Sequence, residues 1–149
     1  MRDDVSAGVS KLCLLFDKKK TLLNRLILSE SDKLHYVQSE NPERVSAIIL
    51  EDDAIIDEIN LIDCDIAETE ESLARIIGIT PKGLYRILRG NVGPARELIT
   101  RRREIRTLLE HLLSGREKLS AALGSAAGEV REHIEGIARI RRLKLPEEE

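Results

Sequence analysis

The chain has 149 residues, 42% of them apolar and 34% charged, with a formal net charge of −3. That length fits one domain, spanning 1–149, and that charge gives no overall attraction for nucleic acid or an anionic membrane surface. Phe16, Tyr36 and Tyr85 are the only aromatic residues, which leaves a core of Leu, Ile, Val and Ala and no stacking platform for single-stranded nucleic acid.

The first helix is predicted over about 5–39. Val9, Leu12, Phe16, Leu23, Leu26 and Val37 form one stripe, widened by Leu15 and Leu22 and interrupted by Lys19, Glu30 and Lys33. A stripe that wide suits a globular bundle better than a two-stranded seam. Ser29, Ser31 and Asp32 are weak helix-interior residues, so a kink is expected there. Asn41-Pro42 then combines a good N-cap with a proline at the first helical position, where its missing N–H does no harm.

The second helix is predicted over 42–77. Val45, Ile48, Asp52, Ile55, Ile59, Ile62, Ile66, Thr69, Leu73 and Ile76 recur in steps of three and four. Its many isoleucines would suit a strand, but strict alternation is absent. Gly78 supplies the C-cap. Thr80-Pro81 repeats the cap-then-proline grammar, opening a short helix over 81–88 that presents Leu84, Ile87 and Leu88. Gly90, Asn91 and Gly93 form a loop.

Pro94 opens a long helix predicted over 94–144, which at 1.5 Å per residue would reach about 75 Å. Its seam runs through Leu98, Arg102, Ile105, Leu109, Leu112, Arg116, Leu119, Leu123, Ala126, Val130, His133, Ile137 and Ile140, the alternating steps of a coiled coil. Pro146 and three glutamates follow. The fold predicted is therefore all-α: an antiparallel three-helix coiled-coil bundle with a short extra helix and a long, partly projecting C-terminal helix. Short connections make consecutive helices antiparallel.

Charge is segregated along the chain. Between Val45 and Ala74 lie ten acidic residues and no Lys or Arg, whereas Lys82, Arg86, Arg89, Arg96, Arg101, Arg102, Arg103 and Arg106 crowd the next stretch. The expected arrangement sets the acidic helix beside the basic start of the long one. Successive helical residues point about 100° apart, so Arg101, Arg102 and Arg103 cannot address one ligand, and a salt-bridged face is preferred to a nucleic-acid patch. Asp53, Asp57, Asp63 and Asp65 lack the spacing and Gly turn of a calcium loop.

No catalytic signature is present. There is no Gly-rich phosphate loop, no His-Glu-x-x-His and no Cys-x-x-Cys. His35, His111 and His133 are isolated, and Asp32-x-x-His35 is only half of what a di-iron bundle requires. Cys13 and Cys64 read as two buried, reduced thiols. The reading is therefore no enzyme, no cofactor and no metal. The first residues hold no basic and apolar leader, and no apolar run approaches the roughly 18 residues of a membrane span. A cytoplasmic protein without membrane insertion is expected.

The far half of the long helix changes character. Gly115, Gly124, Gly128 and Gly136 weaken it, while Leu119, Leu123, Val130, Ile134, Ile137 and Ile140 continue the apolar pattern. Two arrangements fit: close packing on helices of the same chain, or an adaptable surface that orders against another polypeptide.

The Leu-rich first helix from Leu12 to Leu28, the acidic aliphatic second helix from Ile48 to Ile77, the turn Gly78-Ile-Thr-Pro-Lys-Gly-Leu84 and the long amphipathic C-terminal helix together resemble a flagellar export chaperone of the FlgN type. The resemblance implies a small cytoplasmic chaperone of the flagellar type III export system. Its partners would be the C-terminal segments of secreted hook–filament junction proteins. Partner-binding residues would be Leu119, Leu123, Val130, Ile134, Ile137 and Ile140, burying the client's apolar face. This sequence has no Asn and no Tyr in its long helix, unlike that family's usual pattern. The alternative is a homo-oligomeric coiled-coil scaffold or adaptor, in which the projecting helix pairs with its own copy.

Overall fold

A computed structural model describes residues 3–90 and 94–122. They form α1 (Asp3–Gln38), α2 (Pro42–Ile77), a 3-10 turn (Pro81–Gly83) leading into α3 (Leu84–Arg89), and α4 (Pro94–Ala122). No strand occurs among the described residues. The all-α helical bundle read from periodicity is the fold observed, and the stretch 123–144 of the predicted long helix lies outside the described residues.

The helix ends follow local chemistry. Asn41 Oδ1 accepts a hydrogen bond from the Arg44 N–H at 3.2 Å, with Pro42 directly after it. Gly78 closes α2 at φ 86°, its N–H donating to the Ala74 carbonyl at 2.8 Å. Only a residue without a Cβ takes that left-handed turn freely. α1 stops without glycine: Glu40 adopts φ 55°, and the Asn41 N–H donates to the Tyr36 carbonyl at 2.9 Å. Thr80 makes no side-chain cap, and the chain after it begins as a 3-10 turn rather than directly as a helix. The kink expected at Ser29, Ser31 and Asp32 does not interrupt α1. Ser29 instead turns its hydroxyl outward from the helix axis to donate to Asp52 Oδ1 of α2 at 2.6 Å.

α1 is the central helix, packing along its length against both α2 and α4. Ser29 meets Asp52, Lys19 meets Asp63, and Gly8 lies against Leu73, so α1 and α2 run antiparallel. Asp17 meets Arg101, Lys20 meets Glu104, and Glu30 lies beside Gly115, so α1 and α4 run parallel. The same progression brings Ala122 level with the last turn of α1. The core joins Val9, Leu12, Leu23 and Leu26 of α1 to Ile56, Ile59 and Leu73 of α2 and Leu98, Ile105 and Leu109 of α4. α3 closes one end with Leu84 and Leu88.

The expected pairing of acidic α2 with basic α4 is corrected in part. The backbones of α2 and α4 approach each other far less than either approaches α1. The ion pairs Lys19–Asp63, Lys33–Asp52, Lys20–Glu104 and Arg101–Asp17 join α1 to each neighbour. Where α2 and α4 do communicate, Tyr85 of α3 intervenes. Its hydroxyl donates to the Glu70 carboxylate of α2, and the Arg102 guanidinium of α4 lies 3.4 Å from its ring centroid, a cation–π contact. A second correction concerns the thiols. Cys13 is buried, as read, but Cys64 is exposed, because it falls on the side of α2 turned away from α1.

Candidate functional site

Three polar residues on the stripes of α1 and α2 converge on one place. Lys33, Glu30 and Asp52 are all buried, Lys33 completely. Lys33 Nζ lies 2.7 Å from Glu30 Oε1, one helical turn away on α1, and 2.8 Å from Asp52 Oδ2 of α2. Ser29 satisfies the other Asp52 oxygen. Arg116 of α4, also buried, adds a second positive charge to the surroundings of Glu30. The cluster thus draws one charged group or more from each of the three long helices.

Its electrostatics are unevenly balanced. Desolvation pushes the Glu30 carboxyl above its ordinary range, against the pull of Lys33, and the nearby Asp52 adds to the rise. Glu30 Oε2 is buried with no hydrogen-bond partner, an arrangement that raises the free energy of the ionised form. At the other end, burial raises the Cys13 thiol, with Arg101 opposing it. A thiol held protonated in this way is a poor nucleophile.

Beside the cluster, α1 and α4 leave a groove of about 300 Å³. Ile27, Leu34 and Leu112 make its apolar wall, with Glu30, Ser31, His111, Ser114 and Lys118 around them. α4 packs on α1 here at Gly115, where an added Cβ would sit 3.5 Å from Glu30 Cβ, an ordinary van der Waals contact. The groove can admit an apolar side chain or two. No group of three metal-ligating side chains occurs among the described residues, and His111 is exposed at the edge of the groove.

The predicted partner-binding residues divide. Leu119 is fully buried in the fold, so its apolar surface is already covered. Leu123, Val130, Ile134, Ile137 and Ile140 lie outside the described residues. Sequence reasoning took Lys19, Glu30 and Lys33 as interruptions of the first stripe and set Asp52, Arg102 and Arg116 on the stripes of the second and long helices, without pairing any of them. The signal that could have paired them was the matched position of Lys33 and Asp52 when the first two helices are laid antiparallel. No helix among the described residues is long and apolar enough to cross a membrane. Comparison with protein-family models, curated proteins and solved structures found no match to this chain.

Proposed function

We propose that this protein is a non-enzymatic binding module that holds an amphipathic helix of another polypeptide, acting as a chaperone for the C-terminal segments of secreted hook–filament junction proteins. The observation that carries this reading is the register of the bundle. α1 and α4 run parallel and reach the same end at Val37 and Ala122, where the sequence continues through Leu123, Val130, Ile134, Ile137 and Ile140. An apolar series that follows the end of its bundle is suited to cover a client's apolar face, which would keep that client from assembling early. The groove between α1 and α4 opens near the same end and offers Ile27, Leu34 and Leu112 to a client side chain.

Calorimetric titration of the full chain with a synthetic C-terminal peptide of a hook–filament junction protein tests this. Micromolar binding is expected, lost in the double variant Ile134→Asp/Ile137→Asp while the bundle stays folded by circular dichroism. An unaltered chain that releases no heat with such peptides refutes the client. Binding that survives the double variant moves the contact to the α1–α4 groove.

A further inference from the structure

α2 carries a second seam that the described residues leave exposed. Ala47, Leu50, Ala54, Asp57, Leu61, Cys64 and Glu68 follow one another at alternating steps of three and four, and all are exposed. Leu50 and Leu61 keep 64% and 68% of their surface in water. They stand eleven residues apart, three helical turns, on the face opposite the core. Exposed acids flank them: Glu51, Glu58, Asp65 and Glu71. A second copy's α2 would bring the same acids against these, and like charges oppose that pairing.

The chain itself holds a segment with the opposite character. Residues 130–144 contain five basic residues, Arg131, Arg139, Arg141, Arg142 and Lys144, against Glu132 and Glu135. Val130, Ile134, Ile137 and Arg141 fall at steps of four and three, a narrow apolar stripe with a basic flank. Ala122 lies at the end of the bundle where α1 turns into α2, the end nearest Leu50, and residues 123–129 can span about 23 Å. We propose that residues 130–144 of this chain dock on the outer face of its own α2, seating Val130, Ile134 and Ile137 along Leu50, Ala54 and Leu61 with their basic flank over the acids of that face. A short tether holds the segment at a millimolar effective concentration, which favours the same chain over a second copy. A client that uses the same isoleucines has to displace this contact. The docking itself stands whether or not the client reading holds.

Cys64 is a built-in reporter, exposed on the seam. In the full chain carrying Cys13→Ala, a single cysteine is introduced at Ile137 or, on the opposite side of a helix, at Glu135. Disulfide formation with Cys64 under mild oxidation at micromolar protein is followed by gel and by peptide mass. The expected result is an intrachain disulfide from position 137 that forms at least about tenfold faster than from 135, slows as salt rises from roughly 50 to 500 mM, and is suppressed by Leu61→Asp. Circular dichroism serves as the control that the bundle stays folded with Leu61→Asp, Leu61 being exposed. Equal rates from 137 and 135, or indifference to Leu61→Asp, would mean a tether colliding at random and overturns the proposal. Disulfides that link two chains rather than one overturn it as well. Because no client is present, failure here is separable from failure of the peptide titration.

Discussion

Replacing Lys33 by methionine isolates what the buried charge cluster does. Methionine keeps much of the lysine stem's volume and removes the ammonium that sits 2.7 Å from Glu30 and 2.8 Å from Asp52. Two carboxylates would then face each other in a site where Lys33 itself is wholly inaccessible to water. Removing one partner from a buried ion pair lowers stability by about 3–5 kcal/mol, because the remaining charge is left without compensation. Arg116 offsets part of this for Glu30, and Ser29 retains its hydrogen bond to Asp52, so the lower half of the range applies. With a urea dependence near 2 kcal/mol per molar, the unfolding midpoint should fall by about 1.5–2 M. The loss should shrink as pH falls, because the Glu30 carboxyl, which burial already holds above its ordinary range, then takes up a proton. The companion variant Glu30→Leu/Lys33→Met/Asp52→Leu replaces the whole cluster with apolar side chains, and such replacements are neutral or stabilising by about 1–4 kcal/mol. A shift of less than about 0.5 M for Lys33→Met would refute the reasoning, showing that the ammonium is not what balances Glu30 and Asp52.

Three further outcomes are expected. Glu30 has a folded-state pKa above its unfolded value, so the folded chain binds its proton first. Its contribution to stability is fully present below the unfolded pKa and is lost as pH rises through the folded one; Glu30→Gln should flatten that part of the stability profile between acid and neutral pH, and a profile unchanged by the substitution would contradict it. At Gly8, a Cβ would lie 2.4 Å from Leu73 Cδ2 and 2.7 Å from its Cγ, so Gly8→Ala should lower stability by about 1–2 kcal/mol by denaturation despite alanine's better helix propensity. Combining it with Leu73→Ala should give less than the sum of the two losses. Ile59 is fully buried and Ile62 only half-buried; Ile59→Ala should cost about 2–5 kcal/mol and Ile62→Ala clearly less, and equal losses would misplace the inner face of α2.

The helices and several of their ends were legible in the sequence because those features are local. A step of three or four residues reports one face of a helix, and Asn41-Pro42 and Gly78 stop or start the chain through backbone groups within a turn of themselves. The same locality fixed the all-α class and the bounds of the second helix. It could not say which helix lies in the middle. Charge segregation favoured acidic α2 beside basic α4, but exposed charges steer weakly, and apolar burial set α1 between them. No break opens at Ser29 for a related reason: a hydroxyl that weakens an isolated helix finds its partner in Asp52, twenty-three residues away. Lys33 and Glu30 looked like interruptions of one stripe and Asp52 like a member of another, and their meaning as one cluster exists only where antiparallel α1 and α2 bring them within hydrogen-bonding distance. Cys64 read as buried and is exposed, whereas Leu119, on the seam of the long helix, is covered by the bundle. Periodicity identifies a face, but which face is covered is decided by the neighbours packed against it.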